Sequence, residues 1–285
     1  MAKNPERIRL IKAKAEKRIK TRLDQGRGAG AGRDYQSFLH VRDVPSKGRS
    51  HRLPSATVGR IHHLLSDLEL HVFMQLDWHK NVIDIREQFP LPMEASQKIA
   101  AEMSIAHPSY QGTGEVVTTD FLVDLMEYAG KITRRAISAK YVKDLDDPRV
   151  IEKFKLERRY WESKNIPFSI ITEREIPELL RKNVQWFYPY INHFVLEDSE
   201  QHACFQVFLT ALQRHPSMKL TLVMSQLDDI HNTDPGTHLS LMRHFMAQRA
   251  FFFDMEKLTV QNLRAMDVHS SESWLQEDYE YAIGE

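Results

Sequence analysis

Apolar residues recur at three- and four-residue intervals from the start of the chain. Ile8, Ile11, Ala15 and Ile19 stand at helical spacing among charged neighbours and predict a basic helix over residues 3–23. A stronger stripe, Ile61, Leu64, Leu65, Leu68, Val72 and Leu76, predicts a helix from about Ala56 to Leu76. Short apolar runs at Val82–Ile85, Val116–Val123 and Ala136–Val142 read as strands. A helix from about Pro148 to Lys164 follows, with Asp147 as its N-cap and proline at the tolerated first position. Phe168–Ile171 is one more strand. This alternation predicts an α/β core with a mixed sheet flanked by helices.

After about Thr172 the pattern changes to helical segments: Ile176–Phe187, Glu200–His215, Thr237–Phe253 and Leu258–Met266. Turns at Pro216 and Asp234-Pro235-Gly236 divide them. The chain therefore reads as an arm and linker over 1–55, an α/β domain over 56–172 and a small helical domain over 173–285. A length of 285 residues accommodates two domains at about 100–200 residues each.

Composition is ordinary for a protein with a buried core, at 42% hydrophobic and 27% charged. The single cysteine, Cys204, excludes an internal disulfide framework and a cysteine-rich zinc site, and fits a reducing cytoplasm. The N-terminus has no apolar stretch of the signal-peptide kind, and no apolar run approaches the roughly 18 residues of a membrane span, so no membrane association is expected.

Net charge is zero, but it is unevenly spread. Residues 1–60 hold 16 Lys/Arg against 5 Asp/Glu, a net of +11 that the remainder balances. Such a basic front is either a solvated tail or, the favoured reading, the contact for an anionic partner, nucleic acid above all, with Arg27, Arg33, Arg49, Arg52 and Arg60 as candidate phosphate contacts. The glycine-rich stretch 26–32 lacks the Gly-Lys-Ser/Thr ending of a phosphate-binding loop and reads as a flexible hinge presenting Arg27 and Arg33. The other end is acidic: residues 251–285 hold eight Asp/Glu against two Lys/Arg, interleaved with Trp274, Tyr279 and Tyr281. That tail suits a basic protein groove better than DNA.

Three polar residues stand where apolar ones are expected. Glu69 flanks the apolar stripe of its helix, where a carboxylate must be paired, neutralised or metal-bound. Asp120 interrupts a β-branched run, as a strand end or as a residue facing a site. Lys140 lies in the next strand-like run, sharing a face with Ser138, as a site residue or an edge-strand guard. Together, helical Glu, strand Asp and strand Lys make the order of a nuclease site in which two carboxylates hold Mg²⁺ beside a lysine. Glu157 sits inside the stripe Val150, Phe154, Trp161, either supporting that site or pairing with an arginine. The adjacent His62 and His63 diverge by about 100° on a helix and suit packing or DNA contact rather than one shared ion.

The stretch Gly59-Arg60-Ile61-His62-His63-Leu64-Leu65-Ser66-Asp67-Leu68-Glu69-Leu70 resembles the hallmark of the TnsA family. Asp84–Leu91, Thr118–Asp124, Leu156–Trp161, the Gly26-Arg27-Gly28 stretch and Val44–Arg52 are similar to that family as well, so the resemblance spans about residues 20–172 and thins beyond 190. It implies a restriction-endonuclease-like catalytic domain followed by a small winged-helix-like domain. It also implies Mg²⁺-dependent cleavage, with Mn²⁺ as a substitute, at the 5′ ends of transposon DNA. The implied partners are a TnsB-like transposase, which makes the 3′ cuts, and a TnsC-like AAA+ regulator, in a bacterial cytoplasm. On this resemblance Glu69 and Asp120 are the metal-binding carboxylates, Lys140 the catalytic lysine, and the Ala139 carbonyl a further ligand. The acidic tail then becomes the expected docking segment for the regulator. Where the family carries Gln two residues before the lysine, this chain has Ser138, whose shorter side chain reaches a metal only through water. The alternatives are a stand-alone restriction-like nuclease and a non-catalytic DNA-docking or assembly module. The second would be expected to lose one of Glu69, Asp120 and Lys140, and all three are present.

Overall fold

The computed structural model describes residues 5–44, 49–55, 57–110 and 113–271. Its contacts divide the chain between Ile176 and Pro177 into two units. The first opens with helix α1 (Pro5–Asp24), whose Ile11, Ala15 and Ile19 are half-buried among mostly exposed charged residues, while Arg22 is buried near Asp43.

The stripe from Ile61 to Leu76 does not form one helix. Residues 51–64 form a hairpin of strands β1 (His51–Pro54) and β2 (Ile61–Leu64), with His51 opposite Leu64 and Pro54 opposite Ile61. Gly59, at φ +64°, serves the turn between them, a backbone state that suits glycine. Asp77 holds that turn by accepting from Ser55 Oγ and, at 3.2 Å, from the Thr57 N–H. The helix proper is α2 (Asp67–Trp78), and Ser66 is its N-cap, accepting from the Glu69 N–H at 3.1 Å. Consequently His62 and His63 alternate across a strand. His62 is fully buried beside Phe73 and Glu87, whereas His63 stacks on His40 at 4.4 Å.

The central sheet has the order β3 (Val82–Pro90), β6 (Thr118–Met126), β7 (Ile132–Ala139), β8 (Phe168–Ile171). Helix α3 (Met93–Glu102) and the two-residue strands β4 (Ser109–Tyr110) and β5 (Thr113–Gly114) separate β3 from β6; helix α4 (Pro148–Ser163) separates β7 from β8. The first two pairings are antiparallel, and β7 with β8 is parallel, which the α4 crossover permits. The sheet is mixed, as the alternation predicts. Asp147 caps α4 by accepting from the Arg149 N–H at 2.8 Å. Leu156, Tyr160 and Trp161 of α4 pack with Ile99 and Ala100 of α3 over Leu122 and Ala136 of the sheet. Strand β3 runs beyond the expected Val82–Ile85, β6 and β7 are displaced from the expected Val116–Val123 and Ala136–Val142, and β8 coincides with the expected Phe168–Ile171.

The second unit contains helices α5 (Glu178–Phe187), α6 (Asp198–Arg214), α7 (Leu220–His231) and α8 (Thr237–Ala247), then a strand pair, β9 (Phe251–Phe252) with β10 (His269–Ser270). Two expectations fail here. The helix expected to reach Phe253 stops at Ala247, and Arg249 turns left-handed (φ +64°) before β9. The helix expected over Leu258–Met266 is turns and one short 3₁₀ segment. Asn183 of α5 donates to the carbonyls of Met255 (2.9 Å) and Leu258 (2.7 Å), holding this segment irregular. Helix α7 lies outside the expected helical segments, although Leu220, Val223, Met224 and Leu227 form a buried helical stripe. Asp228 locks the α7–α8 turn by accepting from the backbone N–H groups of Gly236 (2.7 Å) and His238 (2.9 Å) and pairing with the His238 ring. The tail aromatics at 274, 279 and 281 lie outside the described residues.

Candidate active site

Glu69 is the third residue of α2, and its carboxylate closes the helix N-terminus. Its Oε2 accepts from the Leu65 N–H at 2.8 Å and its Oε1 from Ser66 Oγ at 3.0 Å. Asp120 enters from β6, half-buried, and its Oδ2 accepts the Ala139 N–H at 2.7 Å. Lys140 follows β7 immediately, anchored by its backbone N–H to Ile171 O at 2.9 Å. Among the described residues its ammonium forms no ion pair. The aspartate is thus tied to the residue beside the lysine, on the two central strands of the sheet.

Gln88 of β3 lies against the two carboxylates. Its Nε2 donates to Glu69 Oε2 at 3.0 Å, its Oε1 accepts from Thr118 Oγ1 at 3.3 Å, and its polar amide helps hold the Asp120 pKa down. Burial, reinforced by the neighbouring Asp120 charge, pushes the Glu69 carboxyl up to about 8. Burial raises Asp120 as well, against the opposing charges of Lys153 and Lys140. Two carboxylates that penalise each other's ionisation are a pair that a cation would stabilise.

Glu157 is fully buried behind them. Its Oε2 accepts from Ser138 Oγ (2.8 Å) and Thr119 Oγ1 (3.0 Å), and Trp161 Nε1 donates onward to Thr119 Oγ1 (2.8 Å). Its Oε1 has no hydrogen bond, with Lys153 Nζ 3.9 Å away. Burial pushes Glu157 up to about 7, with Asp120 adding to the shift and Lys153 opposing it. Ser138 therefore spends its hydroxyl on Glu157 rather than on Asp120 or Glu69. Lys153 and Gln88 carried no signal as site residues in the sequence: one is a surface-like lysine of an amphipathic helix, the other sits within a strand.

Among the described residues, no three His, Cys, Asp or Glu side chains are placed to hold one ion. Glu69 and Asp120 can offer oxygen ligands; the rest would come from backbone, water or substrate, a donor set that suits a hard cation rather than zinc.

The basic residues of the front divide in two. Arg27 is buried, 2.5 Å from Asp43 Oδ2, and the glycine stretch is packed at Gly28 and Gly30: a Cβ on Gly28 would lie 2.2 Å from the Pro90 side chain and one on Gly30 2.6 Å from the Asp34 carbonyl oxygen. Arg60 is inserted between Glu87 (2.6 Å) and the Ile85 carbonyl (2.6 Å), its guanidinium 5.0 Å from the Tyr35 ring centre. Burial would raise Glu87, yet its bonds to His62 and Arg60 hold it down at about 2. These two arginines are internal anchors, which corrects their expected role as phosphate contacts and the hinge reading of residues 26–32. Arg33, Arg49 and Arg52 are exposed, Arg49 with Asp67 3.3 Å away.

The fold and site together define a protein with an α/β domain that carries a buried carboxylate pair next to a lysine, followed by a helical unit. Residues 79–173 match the family model of the TnsA-like endonuclease N-terminal domain, and residues 175–255 match that of the TnsA endonuclease C-terminal domain. The chain is 40% identical over 243 residues to the Transposon Tn7 transposition protein TnsA of Escherichia coli, covering 85% of this chain and 88% of that protein. It belongs to the TnsA family of transposition endonucleases. No helix among the described residues is long and apolar enough to cross a membrane.

Proposed function

We propose that the chain is the subunit that hydrolyses the 5′ ends of a transposon, using Mg²⁺ held by Glu69 and Asp120 with help from the Ala139 carbonyl. The observation that carries this reading is the tie between Asp120 and the Ala139 N–H, which sets a metal-suited carboxylate pair beside Lys140. When bound, the ion supplies positive charge at the scissile phosphate and lowers the pKa of a water. Lys140 compensates the charge that develops on the phosphate oxygens and orients the attacking water. Glu69 and Asp120, half or more buried, hold their oxygens in fixed positions, so little reorganisation is needed during the reaction.

Exposed Arg33, Arg49 and Arg52 are the reading's DNA-facing residues. In the second unit, helix α6, an isolated bridge between Lys219 and Arg264, helices α7 and α8, and the β9–β10 pair follow the element order of a winged helix. Its third helix, α8, is buried or half-buried along its length, and Arg243 is spent on Tyr190 and the Trp186 carbonyl. That composition fits a protein partner, either the transposase that makes the 3′ cuts or its ATPase regulator.

The test is cleavage of transposon-end DNA by the full chain with its partner transposase and regulator. Activity should vanish with a chelator and return with Mg²⁺ or Mn²⁺. Lys140→Ala should lower 5′-strand cleavage by about 10²-fold or more while DNA binding persists. In cells the uncut 5′ strands would convert simple insertions into fused donor–target products. Normal 5′ cleavage by Lys140→Ala would overturn the proposal.

A further inference from the structure

Gln88 occupies a position that the sheet does not require of it. It lies near the end of β3, 2% exposed, with φ +50°, a left-handed backbone that a non-glycine side chain adopts at a cost. Glu87 pairs with Phe121 and Phe89 with Thr119, while Gln88 and Asp120 between them do not pair. The kink is fixed from both sides. Glu87 is gripped by Arg60 and His62, and its carbonyl accepts from Tyr35 Oη at 3.0 Å. Phe89 packs against Trp161 at 5.7 Å and stacks with Tyr35 at 6.3 Å. Glycine would meet the backbone demand without strain. The chain instead carries a long carboxamide there and directs it at the two carboxylates.

We infer that Gln88 is a positioning residue that bridges Glu69 and Asp120 and holds their oxygens at the separation one divalent cation needs. The inference rests on the metal-site reading proposed above. Thr118 Oγ1 bonded to Oε1 turns the amide nitrogen toward the carboxylates; one of its protons goes to Glu69, and the second is free for Asp120, which stands opposite Gln88 in the strand register. The backbone strain is retained because it aims the side chain, and the neighbours at 87 and 89 supply the rigidity that sustains it.

Two variants separate this role from a structural one. Gln88→Gly relieves the left-handed backbone and removes the amide. Gln88→Asn tolerates the same backbone but is one methylene too short to span both carboxylates. Mn²⁺ binding to the purified full chain is measured by calorimetry alongside thermal melts in chelator, with Glu69→Ala and Asp120→Ala as references. The expected result is melting at or above the wild-type temperature for Gln88→Gly and near it for Gln88→Asn. Both should bind Mn²⁺ about 10-fold or more weakly, with a matching rise in the Mg²⁺ needed for cleavage. Wild-type Mn²⁺ affinity in Gln88→Gly and Gln88→Asn would overturn the inference while leaving the metal site standing. Loss of melting temperature in both variants would make Gln88 a structural residue and overturn it as well. If Glu69→Ala and Asp120→Ala bind Mn²⁺ as the wild type does, the metal-site reading fails first and this inference falls with it.

Discussion

In chelator, ionising Glu69 should destabilise the folded protein across neutral pH, and the sign follows from where its proton is held. The carboxyl ionises at about 4.5 in the unfolded chain and is pushed up to about 8 in the fold, by burial first and then by Asp120. Between those values the native state binds a proton that the unfolded state has released, so stability falls as pH rises. Below about 6.5 the effect is masked. His40, His63, His107 and His244 all have lowered pKa values, chiefly through burial, and contribute stability that grows with pH there. The informative window is therefore pH 6.5 to 8. Glu157, raised to about 7, contributes in the same direction only over its lower part. At about 1.4 kcal/mol per pH unit for one proton, Glu69 should cost the fold about 1.5–2 kcal/mol across that window. The assay is urea unfolding in chelator for the wild type and Glu69→Gln, whose neutral amide does not titrate. The stability of Glu69→Gln relative to wild type should rise by that amount from pH 6.5 to 8. Added Mg²⁺ should stabilise the wild type more at pH 8 than at 6.5, and Glu69→Gln at neither. A difference between the two proteins that stays flat across the window would refute the reasoning.

Three further outcomes are expected. Replacing Arg33, Arg49 and Arg52 with Gln should reduce the slope of log affinity for DNA against log salt by about 0.9 per lost contact. Fluorescence anisotropy would show it, and an unchanged slope would remove these residues from the interface. Arg60→Ala should instead cost about 3–5 kcal/mol in urea unfolding, because it leaves Glu87 buried with one partner fewer. Asp228→Ala should raise amide exchange through residues 233–247 and destabilise the second unit by about 1–3 kcal/mol, while Mn²⁺ binding in the first unit is retained.

What the sequence made legible, and what it did not, follows from how far apart the deciding contacts lie. The strands around Asp120 and Lys140 are local, so a charged residue in each stood out, and the structure brings Asp120 to the residue beside Lys140. The start of α2 was also written locally, as Ser66-Asp67-Leu68-Glu69, a serine three residues before a glutamate at a helix N-terminus. The apolar stripe running through it from Ile61 to Leu76 concealed that signal, because Leu64 of the hairpin and Leu68 of α2 are both buried and stand at helical spacing. The arginines were not legible. Charge counting locates Arg27 and Arg60, but their partners Asp43 and Glu87 lie 16 and 27 residues away. Gln88 was hidden for a related reason: its direction is set by a backbone reversal inside a strand, which no periodicity predicts.

Ser138 shows how the remaining ambiguity resolves in physical terms. From sequence it is a shortened ligand, two residues before the lysine and on the lysine's face. In the fold its hydroxyl is committed to Glu157, together with Thr119, which Trp161 orients. A longer amide at that position would have to displace this buried contact or reach past it. The carboxylate that Ser138 holds remains fully buried, with one oxygen lacking a hydrogen bond and Lys153 as its nearest cation. Removing Ser138's hydroxyl should thus act on Glu157 before it acts on any metal. Ser138→Ala is expected to raise the Glu157 pKa further, since it takes away a donor to the ionised form. Carboxyl infrared bands followed through a pH titration would register that shift, and an unmoved Glu157 band would return Ser138 to the role of a ligand through water.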